Sequence, residues 1–214
     1  MFQWLSDNKD WITTLTNIGT LLVWLFYAQL LYSGYRRQRR PRVLINRGVG
    51  GEGLDSPCLI CNMSEEAVYV YFILVILETS EESIHVPVTD CEVDAMGDNT
   101  SALSARTRQG PVESGKYLEL LSYRLLLERA ARVGGIELKN SKPVNTDIEL
   151  KAIEFHVVCI YGSDDDAFGA VRRFELTEND AGELTLTPES IDTTHRTSRR
   201  YKQQVRQWLK RYAT

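Results

Sequence analysis

Residues 11–35 read WITTLTNIGTLLVWLFYAQLLYSGY, a run of 25 residues without a charged side chain. A helix needs roughly 20 mainly apolar residues to cross the hydrocarbon core of a bilayer, so this run is long enough to span it. Trp11 at one end and Tyr32 and Tyr35 at the other are typical of the two membrane interfaces. The run therefore predicts a single transmembrane α-helix.

The charges on either side of the run predict its orientation. Lys9 is the only basic residue in the leader, residues 1–10, whereas several arginines directly follow the run. Basic flanks stay on the cytoplasmic side, so we expect a single-pass protein of a bacterial inner membrane, with the leader outside and the remaining chain in the cytoplasm. A cleaved signal peptide is disfavoured, because the leader carries two acidic residues and no small-residue cleavage pattern follows. The residues predicted to contact the membrane are Trp11, Tyr32, Tyr35, Arg36, Arg37, Arg39, Arg40, Arg42 and Trp208.

Two amides inside the run predict association between helices. Threonine hydroxyls can bond back to their own helix, but the side chains of Asn17 and Gln29 cannot fully do so. We therefore expect both residues to bond to another helix, supplied by a second copy of this chain or by another membrane protein.

The net charge of −4 divides unevenly along the 214 residues. Residues 36–47, the basic juxtamembrane segment and first strand, contain six arginines and no acid. Residues 48–195 contain 11 basic and 27 acidic side chains, and therefore carry a net charge of −16. Residues 196–214 are again basic without an acid. The pattern predicts an acidic domain between two basic segments, and an acidic domain repels nucleic acid.

Residues 67–77 (AVYVYFILVIL) begin the case for a mainly-β domain. Eleven apolar residues in a row are too few to span a bilayer as a helix, and they predict a strand buried on both faces. With its neighbours, this strand predicts an antiparallel β-sandwich, of which an immunoglobulin-like fold is one form; a small barrel is the alternative. An inserted helix is predicted at residues 117–133, ended by two glycines. The other predicted strands are residues 42–46, 57–63, 84–93, 148–161, 170–176 and 184–187.

Residues 198–214 predict a basic amphipathic helix. Its apolar stripe follows the helical spacing i, i+4, i+7, i+8 and i+11, and basic side chains surround it. Two interpretations remain open: the stripe lies on an anionic leaflet, or it packs on the sandwich and leaves its charges in water. The stripe consists of Tyr201, Val205, Trp208, Leu209 and Tyr212.

No motif for catalysis or for a cofactor rises above background. Cys58, Cys61, His156 and Cys159 are a formal four-ligand zinc set, but each pair is spaced i, i+3 in a predicted strand and would point to opposite faces. We therefore predict no metal and no cofactor. In a reducing compartment, the cysteines are expected to be free, buried thiols.

The sequence therefore favours a non-enzymatic interaction module at the membrane, such as an accessory subunit, a sensor or a defence effector. Its expected partners are membrane lipid and either an unidentified protein or a second copy bound through the transmembrane helix. One alternative is a membrane-tethered enzyme with a site assembled from His85, His156 and the turn at residues 164–166. The other is a sensor of anionic lipid.

Overall fold

The computed structural model describes residues 9–38, 41–49, 53–89, 107–161, 167–180 and 182–212. The chain divides into two compact units, Met1–Arg40 and Pro41–Thr214. The second unit contains the β domain and its own apolar core.

The first unit contains a long helix, α1 (Lys9–Gln38). Its segment Lys9–Tyr35 has the length and composition needed to cross a membrane, and none of the segment is buried. Threonines inside α1 donate their hydroxyls to the carbonyl four residues earlier, so the helix satisfies these polar groups by itself. The four bonds run from Thr13 to Lys9, Thr14 to Asp10, Thr16 to Ile12 and Thr20 to Thr16, at 2.7–2.8 Å.

The second unit is built mainly from antiparallel strands. The strands are β1 (Val43–Arg47), β2 (Pro57–Asn62), β3 (Val68–Thr79), β4 (Ser83–Pro87), β5 (Gly110–Val112), β6 (Tyr117–Ser122), β7 (Leu138–Lys139), β8 (Lys142–Pro143), β9 (Leu150–Tyr161), β10 (Ala167–Glu178), β11 (Leu184–Pro188) and β12 (Thr194–Arg196). Among the described residues, β1, β2 and β6 form one sheet in that order, and a larger sheet has the order β11-β10-β9-β3-β4. In the larger sheet, β5 also pairs with β3 and β12 with β10, while β7 and β8 form a separate hairpin.

The main core is one apolar cluster with side chains from both sheets and from the helix α2 (Tyr123–Val133). Tyr123, Phe155 and Phe174 meet edge to face in it, with ring centroids 5.2–5.9 Å apart. In β3 every residue from Phe72 to Leu77 is buried, so this strand is covered on both faces. The predictions of an apolar N-terminal helix and of a mainly-β antiparallel domain are confirmed. The finer prediction of a sandwich stays a prediction.

The helix predicted at residues 117–133 is wrong in its first third. Residues 117–122 form the strand β6, which pairs with β2, and α2 begins only at Tyr123. Ser122 decides the boundary, because its extended backbone ends the strand and its hydroxyl accepts a bond from the backbone N–H of Leu125. Leucines at 118, 120 and 121 fit a helical period as well as a strand.

The hairpin of β7 and β8 was not predicted. Its two-residue turn, Asn140 and Ser141, has positive φ at both positions, as a type I′ turn requires. Asn-Ser lacks the glycine that usually marks such turns, so the sequence carries only a weak signal here. The short strands β5 and β12 were also missed.

Candidate functional site: the docked C-terminal helix

The C-terminal helix α3 (Arg199–Tyr212) packs on the outer face of the large sheet, away from the main core. Tyr201, Val205 and Trp208 are only 4–7% exposed there. They form a second apolar cluster, here called the outer cluster. Its other buried members are Phe72, Leu74, Ile76, Val158 and Val171, from β3, β9 and β10.

Gly169 makes room for α3 on the sheet. A side chain at this position of β10 would point towards α3, because the neighbouring Ala170 faces the main core. A Cβ atom at Gly169 would lie 2.2 Å from both Cε1 and Oη of Tyr201, far inside van der Waals contact. The absence of a side chain therefore lets the Tyr201 ring lie directly on the backbone of β10.

His156 is the polar centre of the outer cluster. Its Nε2 lies 3.1 Å from a carboxylate oxygen of Glu154, and its Nδ1 lies 3.4 Å from the hydroxyl oxygen of Tyr201. In the neutral ring, Nε2–H donates to Glu154 and Nδ1 accepts from Tyr201, so both nitrogens are satisfied. Trp208 packs on the same ring in a T-shaped arrangement, with centroids 4.9 Å apart. The hydrogen bond from His156 holds the pKa of Glu154 below its usual range.

His85, on the edge strand β4, also lies near Trp208, with ring centroids 6.4 Å apart. Its Nδ1 is buried and has no hydrogen-bond partner among the described residues. Burial lowers the pKa of His85, and the positive charge of Arg211 lowers it further. This environment favours the uncharged ring.

A second set of contacts joins the strand that precedes α3 to β1. The backbone N–H of Val43 donates to Nε2 of His195 at 3.0 Å, and that of Ile45 donates to Oγ1 of Thr193 at 2.9 Å. Because Nε2 of His195 accepts this bond, it carries no proton. Burial lowers the pKa of His195, and Arg42 adds to the effect. Neutral His195 therefore stabilises the contact between the two ends of the domain.

Acidification is expected to weaken this arrangement. His195 and His85 have pKa values below the ordinary 6.5, so between that value and their lower folded values the unfolded chain binds more protons. The contribution of these two histidines to the free energy of unfolding is therefore fully present above pH 6.5 and falls as the pH drops below that value. Since His195 is partly exposed, we expect a loss of about 1 kcal/mol or less between pH 7 and pH 5.5. The pKa of Glu154 lies below its ordinary value of 4.5, so Glu154 changes the stability only at pH values below this range.

Urea denaturation at several pH values measures this loss. His195→Gln keeps an acceptor for Val43 but cannot titrate, so its stability should depend less on pH than that of the unchanged protein. The exposed Asp147→Asn is the control, and it should leave the slope unchanged. If the free energy of unfolding depends equally on pH in His195→Gln and in the unchanged protein, His195 is not a source of the loss.

The opposite face of α3 is exposed and basic. Gln203 and Gln207 lie along its middle, with cations on both sides at helical spacing. Among the described residues, none of these cations has a carboxylate within ion-pair distance, and α3 itself contains no acid. The exposed cations are Arg199, Arg200, Arg206, Lys210 and Arg211.

The structure places the predicted membrane residues in different settings. Trp11, Tyr32 and Tyr35 are exposed on α1, and Arg42 is exposed before β1. The side chains of Arg36, Arg37, Arg39 and Arg40 lie outside the described residues. Trp208 lies against the sheet, so contact with lipid would require α3 to leave its position. The described residues hold no hydrogen-bond partner for the side chain of Asn17 or Gln29.

The residues considered for chemistry are dispersed. Cys58 and Cys159 are free thiols in the main core, whereas His156 lies on the other face of β9, in contact with α3. Burial raises the pKa of the Cys58 thiol to about 12, so this thiol is protonated and unreactive at neutral pH. In the described part of the chain, no three potential metal ligands come together. His85 and His156 do both lie next to Trp208, while residues 164–166 fall outside the described residues.

Sequence reasoning missed Gly169, Glu154 and Thr193. A glycine inside a strand often marks a close approach by another group, so Gly169 carried a usable signal. Glu154 could have been found from its i, i+2 spacing to His156, which places both on one face of a strand. Thr193 had no such signal, because its partner lies 148 residues away.

Comparison with protein-family models, with curated proteins and with solved structures finds no match for this chain.

Proposed function

We propose that this protein is a non-enzymatic interaction module held in the bacterial inner membrane by α1, with its N-terminus outside and its β domain in the cytoplasm. The observation that carries this proposal is the segment Lys9–Tyr35, which is apolar, long enough to span and unburied. Its exposed large side chains include Leu21, Trp24 and Phe26, and a continuous apolar surface of this size marks contact with a membrane or with another protein. The cytoplasmic orientation is supported by the arginines that follow the segment.

The β domain supports the binding part of this role. Its main core draws side chains from both sheets, which is consistent with a β-sandwich built as a rigid scaffold. Tyr69, Tyr71 and Tyr117 are exposed on its strands. Tyrosine is enriched in protein–protein interfaces, so these side chains favour recognition of a cytoplasmic protein.

The span itself supports association in the membrane. Asn17 and Gln29 keep their amides unpaired among the described residues, while the threonines of α1 bond within the helix. In hydrocarbon an unpaired amide is costly, and bonding to a second helix relieves that cost. We therefore propose that α1 binds another copy of itself or the helix of a membrane partner.

Replacing both amides is expected to weaken this association. An interhelical hydrogen bond stabilises a membrane complex by about 0.6–2 kcal/mol, so Asn17→Leu with Gln29→Leu should weaken assembly about tenfold or more while leaving insertion intact. The measurement is the mass of the detergent-solubilised, tagged protein, with mass spectrometry of the proteins that co-purify from native membranes.

Thr14→Val with Thr20→Val is the matched control, because both hydroxyls are already bonded within α1. This control should keep the complex. A complex of unchanged mass and composition in the leucine variant would remove the proposal of association through α1. Release of the unchanged protein from membranes by alkaline carbonate would remove the proposed anchor.

A further inference from the structure

The apolar stripe of α3 is already used inside the domain. Tyr201, Val205 and Trp208 are buried on the sheet, and Leu209 and Tyr212 pack against the same cluster and are half-buried, so most of this stripe is withheld from a bilayer. What it offers outwards is charge, because its exposed face carries Arg199, Arg206 and Lys210 along one side of Gln203 and Gln207. A partner of this face must therefore be anionic and must bind without inserting the stripe.

The exposed face is fixed to the part of the domain that follows the membrane span in sequence. His195 and Thr193, just before α3, accept hydrogen bonds from the backbone of β1. Arg42 directly precedes β1, and the charge of Arg42 acts on His195. The first basic segment of the chain is thus hydrogen-bonded to the residues that directly precede the second one.

The remaining surface has the opposite sign. Residues 48–195 carry a net charge of −16, so an anionic bilayer repels most of the domain. Among the described residues, Arg196 and α3 form a stretch with basic and no acidic side chains, which is the sign that such a surface attracts. Charge complementarity therefore selects one orientation of the domain on an anionic leaflet.

We propose that the exposed basic face of α3 binds the headgroups of anionic lipids in the leaflet that α1 enters, and so holds the β domain against the membrane in one orientation. The inference rests on the proposed membrane anchor, which keeps the domain at the bilayer. The interaction is electrostatic, and salt screens it within about a nanometre at physiological ionic strength.

The test uses the full-length protein in lipid nanodiscs. Gln207→p-benzoylphenylalanine puts a photo-crosslinker in the middle of the exposed face, and mass spectrometry detects lipid joined to the protein after illumination. Discs of phosphatidylcholine with roughly one third phosphatidylglycerol are compared with discs of phosphatidylcholine alone. We expect at least about fivefold more lipid adduct in the anionic discs, and loss of that excess in about 0.5 M salt.

Two variants distinguish an effect of the basic face of α3 from an effect of the net charge of the domain. Arg199→Gln with Arg206→Gln and Lys210→Gln should remove the excess adduct. A control with the same change in charge, made at the exposed Lys116, Arg132 and Lys139, should retain it. Gln203→p-benzoylphenylalanine repeats the measurement at a second exposed site, in case the first variant is poorly folded.

The outcomes are distinguishable. Equal adduct in both kinds of disc, equal loss in both charge variants, or adducts to protein alone would each overturn lipid binding by α3. Incorporation into discs is measured separately by co-elution, and its failure would overturn the proposed anchor together with the lipid contact.

Discussion

Gly169→Ala is expected to destabilise the domain by about 1–3 kcal/mol and to displace α3 from the sheet. The added methyl group would lie 2.2 Å from the Tyr201 ring, which is stacked on His156 and meets the edge of Trp208, so the ring cannot move aside freely. Overpacking of a buried site costs about 1–3 kcal/mol, whereas alanine regains only about 0.5–1 kcal/mol of backbone entropy in a strand. The steric cost therefore decides the sign.

Trp208 is a natural probe for this displacement. When the tryptophans at 4, 11 and 24 are replaced by phenylalanine, Trp208 remains as the only tryptophan. Its emission should shift to the red in Gly169→Ala, because the indole would leave a buried site. Urea denaturation followed by the same signal gives the loss of stability.

A double-mutant cycle provides the control. Tyr201→Leu shortens the side chain that meets the new methyl group, so adding Gly169→Ala to it should cost little. We expect a coupling free energy of more than about 1 kcal/mol between the two positions. Strictly additive losses would show that Tyr201 is not the group that excludes a side chain at 169.

Arg172→Met is expected to destabilise the domain by about 2–4 kcal/mol. Arg172 is 8% exposed in β10, and its guanidinium donates to the carbonyl oxygens of Ile45 at 2.5 Å, Ser190 at 3.3 Å and Ile191 at 3.1 Å. A hydrogen bond to a charged group contributes about 1.5–3 kcal/mol, and a buried acceptor left alone costs about 1–3 kcal/mol. Methionine has a similar length, so the lost bonds rather than a cavity would dominate.

Arg173→Met is the matched control, since the neighbouring arginine lies on the other face of the same strand. Arg173 binds Glu78 at 2.7 Å and Glu189 at 3.3 Å, with roughly a third of its side chain exposed. Ion pairs exposed to solvent contribute about 0–1 kcal/mol, so this variant should lose much less stability. Equal losses for the two variants in urea denaturation would contradict the role assigned to Arg172.

The strands could be predicted where the chain repeats one simple pattern. Residues 67–77 are apolar without interruption, and a strand buried on both faces is the arrangement that the structure contains from Phe72 to Leu77. The start of α2 could not be placed, because leucines at 118, 120 and 121 suit either period and one hydroxyl, that of Ser122, sets the boundary. Short strands such as β12 depend on partners distant in sequence, which local patterns do not encode.

The apolar stripe of α3 could be predicted from the sequence, but the surface on which it packs could not. The stripe of α3 follows from its spacing, but the same stripe suits a lipid surface or a protein surface. The deciding information lies in other parts of the sequence. A strand that is apolar on both faces needs an element packed on each face, and Gly169 leaves room for a helix on one of them. Read together, these features would have predicted that α3 lies on the sheet.

The bonds that His195 and Thr193 form with β1 also bear on aggregation. β1 is an edge strand of its sheet, and open edges are templates for pairing with another chain. Here the N–H groups of Val43 and Ile45 and the carbonyl of Ile45 are occupied by side chains. Anchored copies would be crowded in the plane of a bilayer, where exposed edges would meet often. The occupied edge would keep copies that associate through α1, as proposed above, from fusing their sheets along β1.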